Sequence, residues 1–293
     1  MAEIQIDPMR TFLGIDAGGS TTKFTKFDEQ GNVLKKTVLD SIHFMRVQKD
    51  TMISILHQGS LDCEVDSSTF VACGVAGYGE DSQIRTLIED AVHRVFPHAL
   101  IMNDAEFATI GALGDQDGAY VISGTGSIAY LQKNKMRKRI GGWGYLISDL
   151  GSAFSIGKEV LEAFTKQADG RYPKTPLFPL IMSHFKLSEP HDLIRVIYED
   201  RSLYRNCVAD LAELVYPLAI EGDYCILEIY SRAGKQLAEL IQEGSDESSP
   251  VAYGGGVLLH NDFVRSAFFT ALGQRTILEL QQPPEYAALV LGR

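Results

Sequence analysis

Apolar and polar residues alternate in three consecutive stretches near the start of the chain, over Phe12–Asp16, Thr21–Phe27 and Val33–Leu39. Alternation with a period of two is typical of a half-buried β-strand, and the connections between the stretches are short and contain glycine, as hairpin turns do. The sequence therefore predicts that the fold begins with three consecutive strands joined by tight turns.

Helical and strand-like stretches alternate after these strands. Helices are predicted from Phe44 to about Leu56, over Ser82–Phe96, where apolar residues recur every three or four positions, and over Ala105–Leu113. Short apolar runs at Phe70–Val75 and Leu100–Met102 predict two more strands. The order β-β-β-α-β-α-β-α indicates a mixed sheet flanked by helices.

The strand-turn-strand pattern begins again after the polar segment Gly114–Gly118. A chain of 293 residues is long enough for two cores, so we expect two domains, residues 1–116 and 117–293. Further helices are predicted at about Ala153–Thr165, Pro179–Phe185, Leu193–Tyr198, Asn206–Ala219, Tyr224–Gln242 and Asp262–Leu272, with a strand at Val251–Tyr253. The expected fold class is α/β.

Two glycine-rich turns stand between strand-like runs, one in each half of the chain. They have the sequences Asp16-Ala-Gly-Gly-Ser-Thr21 and Ser123-Gly-Thr-Gly-Ser127. Such turns expose several backbone N–H groups at one point, and glycine lets a ligand approach the backbone closely. One turn of this kind is ordinary, but two in corresponding positions predict a clamp for a polyphosphate.

Composition and charge exclude several classes of protein. The net charge is −11, whereas a nucleic-acid-binding surface needs clustered Lys and Arg. The one basic run, Lys133–Arg139, is interpreted as a solvated hairpin tip. The first ten residues lack the pattern of a secretory signal, and no stretch has the roughly 18 apolar residues of a membrane span. We expect a cytoplasmic protein that binds neither nucleic acid nor membranes.

The four cysteines are scattered, without a CxxC pair, and the seven histidines form no ligand-spaced cluster. This distribution indicates reduced thiols and argues against a metal held by nitrogen and sulfur ligands. A divalent cation would therefore be held by oxygen ligands. Asp16, at a strand end beside the first glycine turn, could hold Mg²⁺ directly or through water. The alternative is a carboxylate that caps the turn.

Six motifs together resemble the N-acetylglucosamine kinase branch of the BadF/BadG/BcrA/BcrD ATPase family. They are Gly14-Ile-Asp-Ala-Gly-Gly-Ser-Thr-Thr-Lys23, Asn103-Asp-Ala105, Ser123-Gly-Thr-Gly-Ser127, Gly141-Gly-Trp-Gly144, Asp149-Leu-Gly-Ser-Ala153 and Gly254-Gly-Gly256. The resemblance covers nearly the whole chain. It implies a two-lobed, actin-like (ribonuclease H-like) ATPase fold with mixed sheets flanked by helices, the substrates ATP and a sugar, the cofactor Mg²⁺, and a homodimer.

The resemblance also implies a role for each matching residue. Asp104 matches the catalytic aspartate, which accepts the proton of the sugar hydroxyl. The ATP site would comprise Gly18, Gly19, Ser20, Thr21, Lys23, Gly124, Thr125, Gly126, Gly254, Gly255 and Gly256. The sugar site would comprise His43, Ser127, Gly142, Trp143, Gly144, Asp149 and Ala153. Phosphoryl transfer needs hydrogen-bond donors around the phosphates, a divalent cation and a base.

The residues by themselves leave structural alternatives open. Asp104 stands between a strand and a helix, where a carboxylate is ordinarily an N-cap. Trp143 would serve as a core anchor, and His43 as a histidine at the edge of the core. Gly254–Gly256 would form a plain turn between a strand and a helix.

Two departures from the family pattern concern the sugar. Leu150 occupies a position where the family often has glutamate, and His43 stands where human-type N-acetylglucosamine kinases have asparagine. The segment Ser41–Met45 resembles bacterial members that act on both N-acetylmuramic acid and N-acetylglucosamine. The identity of the sugar therefore stays open.

These observations predict an ATP-dependent kinase of an amino sugar, with conversion of N-acetylglucosamine to its 6-phosphate as the first choice. Kinases of glucosamine or of N-acetylmuramic acid and N-acetylglucosamine are alternatives within the family. Two alternatives of other classes are an ATPase that activates a CoA dehydratase and a sugar sensor without catalytic activity.

Overall fold

The computed structural model describes residues 10–79, 81–199, 201–242, 244–245, 248–278 and 282–293. The chain divides into two compact units. One comprises Met1–Asp117, Gln132–Arg137 and Leu280–Arg293, and the other comprises Gly118–Leu131 and Lys138–Glu279. No helix in the described part of the chain is both long and apolar enough to cross a membrane.

The first unit is built on a five-stranded sheet with the order β3-β2-β1-β4-β5. Its elements are β1 (Thr11–Ala17), β2 (Thr21–Phe27), β3 (Val33–Asp40), α1 (Lys49–Asp62), β4 (Thr69–Val75), α2 (Ser82–Val95), β5 (Leu100–Asn103) and α3 (Asp104–Leu113). β1 is antiparallel to β2 and parallel to β4, which is parallel to β5. The predicted mixed sheet is confirmed.

The two faces of this sheet pack against different helices because side chains alternate along a strand. Leu13, Ile15 and Phe24 lie on one face and join a core with residues of α1 and α2. Phe12 and Phe27 lie on the other face and pack with Phe107 of α3. Both faces of β1 are therefore buried.

The second unit contains another five-stranded sheet, with the order β10-β9-β6-β7-β8. Its strands are β6 (Gly118–Ser123), β7 (Ser127–Lys133), β8 (Met136–Gly141), β9 (Val251–Gly254) and β10 (Ile277–Leu278). Its helices are α4 (Ala153–Ala168), α5 (Leu177–His184), α6 (Asp192–Glu199), α7 (Arg201–Leu214), α8 (Tyr216–Ile220), α9 (Tyr224–Gln242), α10 (Gly256–His260) and α11 (Asp262–Leu272). The basic run Lys133–Arg139 spans the β7–β8 turn, as the sequence predicts.

The end of the chain belongs to the first unit. The predicted division into residues 1–116 and 117–293 placed it in the second. A short 3₁₀ helix (Pro284–Tyr286) and α12 (Ala287–Gly292) follow the second unit in the sequence. Ala287, Ala288 and Leu289 are buried in the core that contains Phe12 and Phe27. The burial of this apolar run against β1 explains its placement.

The largest differences from the predicted helices occur at two places. The helix expected from Phe44 begins at Lys49, because Arg46 and Val47 donate their N–H groups to the His43 carbonyl and form a separate turn. The helix expected over Asn206–Ala219 is two helices, and Pro217 lies in the first turn of the second of them. Proline cannot donate the backbone hydrogen bond that a continuous helix requires there.

Candidate active site

The first glycine turn connects β1 to β2 and is stabilised by two hydrogen bonds to backbone carbonyls. The Gly18 N–H donates to the Thr21 carbonyl over 3.0 Å, and the Ser41 hydroxyl donates to the Gly18 carbonyl over 2.9 Å. Gly19, Ser20 and Thr21 are exposed. The turn is thus fixed by its own backbone while its tip faces solvent.

Asp16 and Lys23 are cross-strand partners beside this turn. The Lys23 Nζ lies 3.4 Å from the Asp16 Oδ2, and the Asp16 side chain is 16% exposed. Burial raises the pKa of Asp16, and the charge and hydrogen bond of Lys23 oppose the shift. Asp16 makes its ion pair with the neighbouring strand, so this contact gives no support to the turn-capping interpretation.

Asp104 is the first residue of α3, and the preceding residue caps the helix. The Asn103 side-chain oxygen accepts the Ala105 N–H over 3.0 Å. The N-cap interpretation of Asp104 is therefore wrong. Burial raises the pKa of Asp104 to about 6, with a further increase from the charge of Asp16 and a decrease from a hydrogen bond with the Ala105 backbone. At neutral pH this carboxylate is ionised and able to accept a proton.

The sheet register brings Asp16 and Asp104 to one edge of the first unit. Ala17 pairs with Val75 and Val75 pairs with Asn103, so three parallel strands end together. Ligands of α/β proteins bind beyond the carboxyl ends of such strands. The two aspartates, Lys23 and the first glycine turn share this edge.

His43 lies in the turn that precedes α1 and is partly buried. Its ring stacks on Phe44 at a centroid distance of 4.8 Å, and its Nδ1 accepts the Met45 N–H over 3.3 Å. In the neutral ring this hydrogen bond assigns the proton to Nε2, which is then a donor. The structure is compatible with both interpretations of His43.

The second glycine turn, between β6 and β7, is tied to the start of α4. The Ala153 N–H donates to the Gly124 carbonyl over 2.8 Å, and the Phe154 N–H donates to the Thr125 carbonyl over 3.4 Å. Ser152 caps α4 by accepting the Ser155 N–H. Ala153, expected at the sugar, therefore also orients the turn.

The loop between β8 and α4 is built onto this second turn through Asp149, which is 8% exposed. The Asp149 Oδ1 accepts the Gly144 N–H over 2.9 Å, and the Ser127 hydroxyl donates to the Leu150 carbonyl over 2.8 Å. Burial raises the pKa of Asp149, and the Gly144 N–H and then Arg205 oppose the shift. Ser127, Gly144 and Asp149 thus lie together, as a common sugar site requires.

Gly142 and Trp143 occupy the same loop. The Trp143 side chain is 68% exposed, with the Arg139 guanidinium 5.9 Å from its ring. A core anchor would be buried, so that interpretation of Trp143 is wrong. Leu146 and Ile147 are exposed as well, which gives this loop an apolar surface.

A cavity of about 600 Å³ opens in the second unit beside the second glycine turn. Gly124, Thr125 and Gly256 line it. Gly254 is the last residue of β9, and Gly255 connects it to α10. Gly255 has a φ of 85°, a backbone angle that favours glycine. Gly254–Gly256 therefore do form a turn between a strand and a helix, and the turn contributes one wall of the cavity.

The opposite wall of this cavity was not predicted from the sequence. It comprises Ala209, Asp210, Ala212, Glu213 and Tyr216 of α7 and α8, with His260 and Asn261 at the end of α10. The helix itself was expected, but acidic and small residues on a helix face occur in many proteins without a ligand. The paired alanines were the available signal, because small side chains leave room for a ligand.

Comparison with known proteins finds similarity over most of the chain. The model of the BadF/BadG/BcrA/BcrD ATPase family matches residues 13–284. The N-acetylmuramic acid/N-acetylglucosamine kinase of Clostridium acetobutylicum is 27% identical over 304 residues, covering 97% of this chain and 99% of that protein. The N-acetyl-D-glucosamine kinase of Dictyostelium discoideum is 26% identical over 270 residues, covering 84% of each.

Among solved structures, that of a candidate N-acetylglucosamine kinase from Chromobacterium violaceum has a TM-score of 0.76 with this chain at 18% identity. The match covers 97% of this chain and 99% of that one. This likeness confirms the predicted fold class, an actin-like ATPase fold with mixed sheets flanked by helices.

Proposed function

Because the chain belongs to the BadF/BadG/BcrA/BcrD ATPase family, we propose that it is an ATP-dependent kinase that phosphorylates an amino sugar, with N-acetylglucosamine as the acceptor and its 6-phosphate as the product. Asp104 carries the proposal. Its helix is capped by Asn103, and its carboxylate has a raised pKa at the edge where parallel strands end. These are the properties of a positioned base.

We assign ATP to the two glycine turns and to the cavity of the second unit. In the first unit, Gly18–Thr21 and Lys23 would bind phosphate oxygens, and in the second unit Gly124–Gly126 would do so. The cavity beside Gly254–Gly256 would take the adenosine, and Asp210 or Glu213 would accept hydrogen bonds from ribose hydroxyls. Backbone N–H groups in glycine turns are suited to phosphate oxygens.

The donors beside the first glycine turn fit Mg²⁺, which we infer as the cofactor. Mg²⁺ is usually bound by one or two carboxylates, substrate phosphates and several waters, and Asp16 supplies a carboxylate here. No group of three His, Cys, Asp or Glu able to hold a metal occurs among the described residues, so the phosphates and water would supply most ligands. Bound Mg²⁺ would neutralise charge that develops on the phosphates.

In the second unit the β8–α4 loop would contact the sugar, and in the first unit His43 would contact it. Asp149 is positioned by the Gly144 N–H and would accept hydrogen bonds from sugar hydroxyls. Trp143 lies on the surface of the same loop and would contact an apolar face of the ring. Asp104 would orient the attacking hydroxyl and accept its proton, since positioning contributes more here than basicity.

A coupled assay of ADP release tests the proposal against its alternatives. Glucose, glucosamine, N-acetylglucosamine, N-acetylmannosamine and N-acetylmuramic acid would be compared by their kcat/KM values, and we expect N-acetylglucosamine to rank first. A different order would change the sugar but keep the reaction. ADP release independent of sugar would favour the dehydratase activator, and sugar binding without ADP release would favour the sensor.

The cysteines already weigh against the dehydratase activator. That class of protein needs cysteines that bridge an iron–sulfur cluster shared between subunits. Cys63 and Cys73 are completely buried, and Cys207 and Cys225 are partly buried. None of the four is exposed in the way that a cluster shared between subunits requires.

The pH dependence of the reaction should report on Asp104. Its pKa is raised to about 6, and only the ionised form accepts a proton. We expect kcat/KM for N-acetylglucosamine, an uncharged acceptor, to fall about tenfold per pH unit below pH 6. The residual activity of Asp104→Asn should lack this inflection, whereas any contribution from ATP ionisation would persist. The same inflection in both proteins would contradict the assignment.

His43 should affect sugar affinity more than ATP affinity. If its ring reaches the sugar, His43→Ala removes one hydrogen bond, worth about 1 kcal/mol, and raises the KM for the sugar about fivefold with little change in the KM for ATP. His43→Asn should shift preference toward N-acetylglucosamine over N-acetylmuramic acid. The control is His57→Ala, which removes an exposed histidine of α1. A lower melting temperature with an unchanged ratio of the two kcat/KM values would assign His43 to the core.

A further inference from the structure

Glu285 is a carboxylate with an unusual environment. It lies in the 3₁₀ helix Pro284–Tyr286, its residue is 0% exposed, and both carboxylate oxygens are buried without a hydrogen-bond partner among the described residues. Burial of an unpaired carboxylate is costly, and such groups in native proteins are normally paired, bound to a metal or bridged by water. A group absent from the protein chain itself is the natural partner.

The sheet register places Glu285 beside Asp16. Gly14 and Asp16 are two positions apart on β1, so they face the same side of the sheet. The backbone of Glu285 packs directly on Gly14, where a Cβ atom would overlap the Glu285 carbonyl. Burial raises the pKa of Glu285, and among charged groups Asp16 contributes most to the shift by raising the pKa further, while Lys23 opposes it. The buried carboxylate therefore lies next to the proposed cation ligand.

Thr25 adds a second unpaired group at the same place. It is the cross-strand partner of Gly14 and is 1% exposed, and its Oγ1 is buried without a hydrogen-bond partner among the described residues. Three unpartnered polar atoms, the two Glu285 oxygens and the Thr25 hydroxyl, thus belong to residues that adjoin Gly14. Buried water commonly satisfies such a group of atoms.

We propose that Glu285 and Thr25 hold water molecules in the hydration shell of the divalent cation that Asp16 binds. Mg²⁺ keeps several of its waters when it binds to proteins, and these waters need acceptors such as a carboxylate. The proposal rests on the proposed function, which puts the cation at Asp16. It makes Glu285 a positioning residue for the cation, supplied by the end of the chain.

Mn²⁺ binding tests this role without turnover. With protein in excess over ADP, so that the nucleotide is bound, the electron paramagnetic resonance signal of free Mn²⁺ gives the Kd of the cation. Loss of a group that orients a metal's ligands costs about 10- to 100-fold in metal affinity. We expect Glu285→Gln to raise the Kd of Mn²⁺ about tenfold and to leave the Kd of ADP in EDTA unchanged. Tyr286→Phe, in the same segment, should behave as wild type.

Two comparisons separate the possible failures. If Asp16→Asn weakens Mn²⁺ binding but Glu285→Gln does not, Glu285 is a packing residue and the inference is overturned, while the proposed function stands. If Asp16→Asn also binds Mn²⁺ as wild type does, the cation site of the proposed function fails.

Thr25 provides a second test in case Glu285→Gln fails to fold. Thr25→Val removes the hydroxyl and keeps the shape of the side chain, whereas Thr25→Ser keeps the hydroxyl. We expect Thr25→Val to weaken Mn²⁺ binding and Thr25→Ser to preserve it. Equal Mn²⁺ affinity in both variants would overturn the inference.

Discussion

Replacing Asp104 with asparagine is expected to lower turnover by about 10²- to 10⁴-fold, the range that positioned proton transfer supplies. The asparagine keeps the size of the side chain and cannot accept the proton of the sugar hydroxyl. Binding of ATP should be nearly unchanged, since the carboxylate is assigned to the acceptor. Single-turnover kinetics with N-acetylglucosamine would measure the loss at the chemical step.

The same substitution should stabilise the fold at neutral pH. The folded state raises the pKa of Asp104 from 3.8 to about 6, so it binds the proton more tightly than the unfolded state does. Stability then falls as the pH rises from about 4 to about 6, and the penalty persists above that range. Asparagine removes this penalty, which we put at about 1–3 kcal/mol because one pKa unit corresponds to about 1.4 kcal/mol. Urea unfolding at pH 7.5 would measure it.

Glu106 provides the matched control, because it is an acidic residue in the first turn of the same helix. It forms an ion pair with Arg137 over 2.9 Å, and both side chains are partly buried. Glu106→Gln should keep wild-type turnover and gain no stability. A fully active Asp104→Asn variant, or one that loses stability as an N-cap variant would, contradicts the assignment of Asp104 as the base.

The regular strands and helices could be predicted because their patterns are local. β2 matches its predicted bounds, since alternation from Thr21 to Phe27 and a glycine turn on one side determine where it lies. α11 begins at Asp262, the predicted residue, after the capping residue Asn261. By contrast, the start of α1 depends on the turn at His43. The sequence permits the hydrogen bonds of this turn but equally permits a helix that begins at Phe44.

The placement of the chain end could not be predicted, because it depends on contacts between distant residues. The apolar run that includes Ala287 and Leu289 shows that the segment is buried, but the sequence does not show against which strand. Glu285 illustrates the same limit, since a single glutamate after two prolines carries no motif. Its importance becomes visible only through the backbone of Gly14 and the unpaired hydroxyl of Thr25.

The candidate site was predictable where motifs are local and ambiguous where neighbours compete. Asn103 and Asp104 are both residues that cap helices, and the sequence does not decide between them. The structure assigns the cap to Asn103, so the Asp104 side chain does not serve as the cap. Likewise, the exposure of Trp143 depends on the path of a glycine-rich loop, whose backbone angles the sequence permits but does not determine.

Gly14→Ala is expected to destabilise the first unit by about 3 kcal/mol or more, at the upper end of what overpacking costs. The added Cβ would overlap the Glu285 backbone, and a backbone carbonyl cannot rotate away as a long side chain can. The 3₁₀ helix and α12 would have to move away from β1. The buried residues Ala287 to Leu289 would then lose contacts with Phe12 and Phe27.

Gly79→Ala is the matched control, because a Cβ at Gly79 has no other atom within 4 Å. Urea unfolding should give Gly79→Ala nearly wild-type stability, and hydrogen exchange in Gly14→Ala should increase over residues 282–293 ahead of the rest of the first unit. Since Gly14 also positions Glu285, the Gly14→Ala variant should bind Mn²⁺ weakly as well. Equal stability and equal exchange in the two variants would show that the end of the chain does not dock on β1, and Gly14 would then owe its place in the motif to the phosphate turn alone.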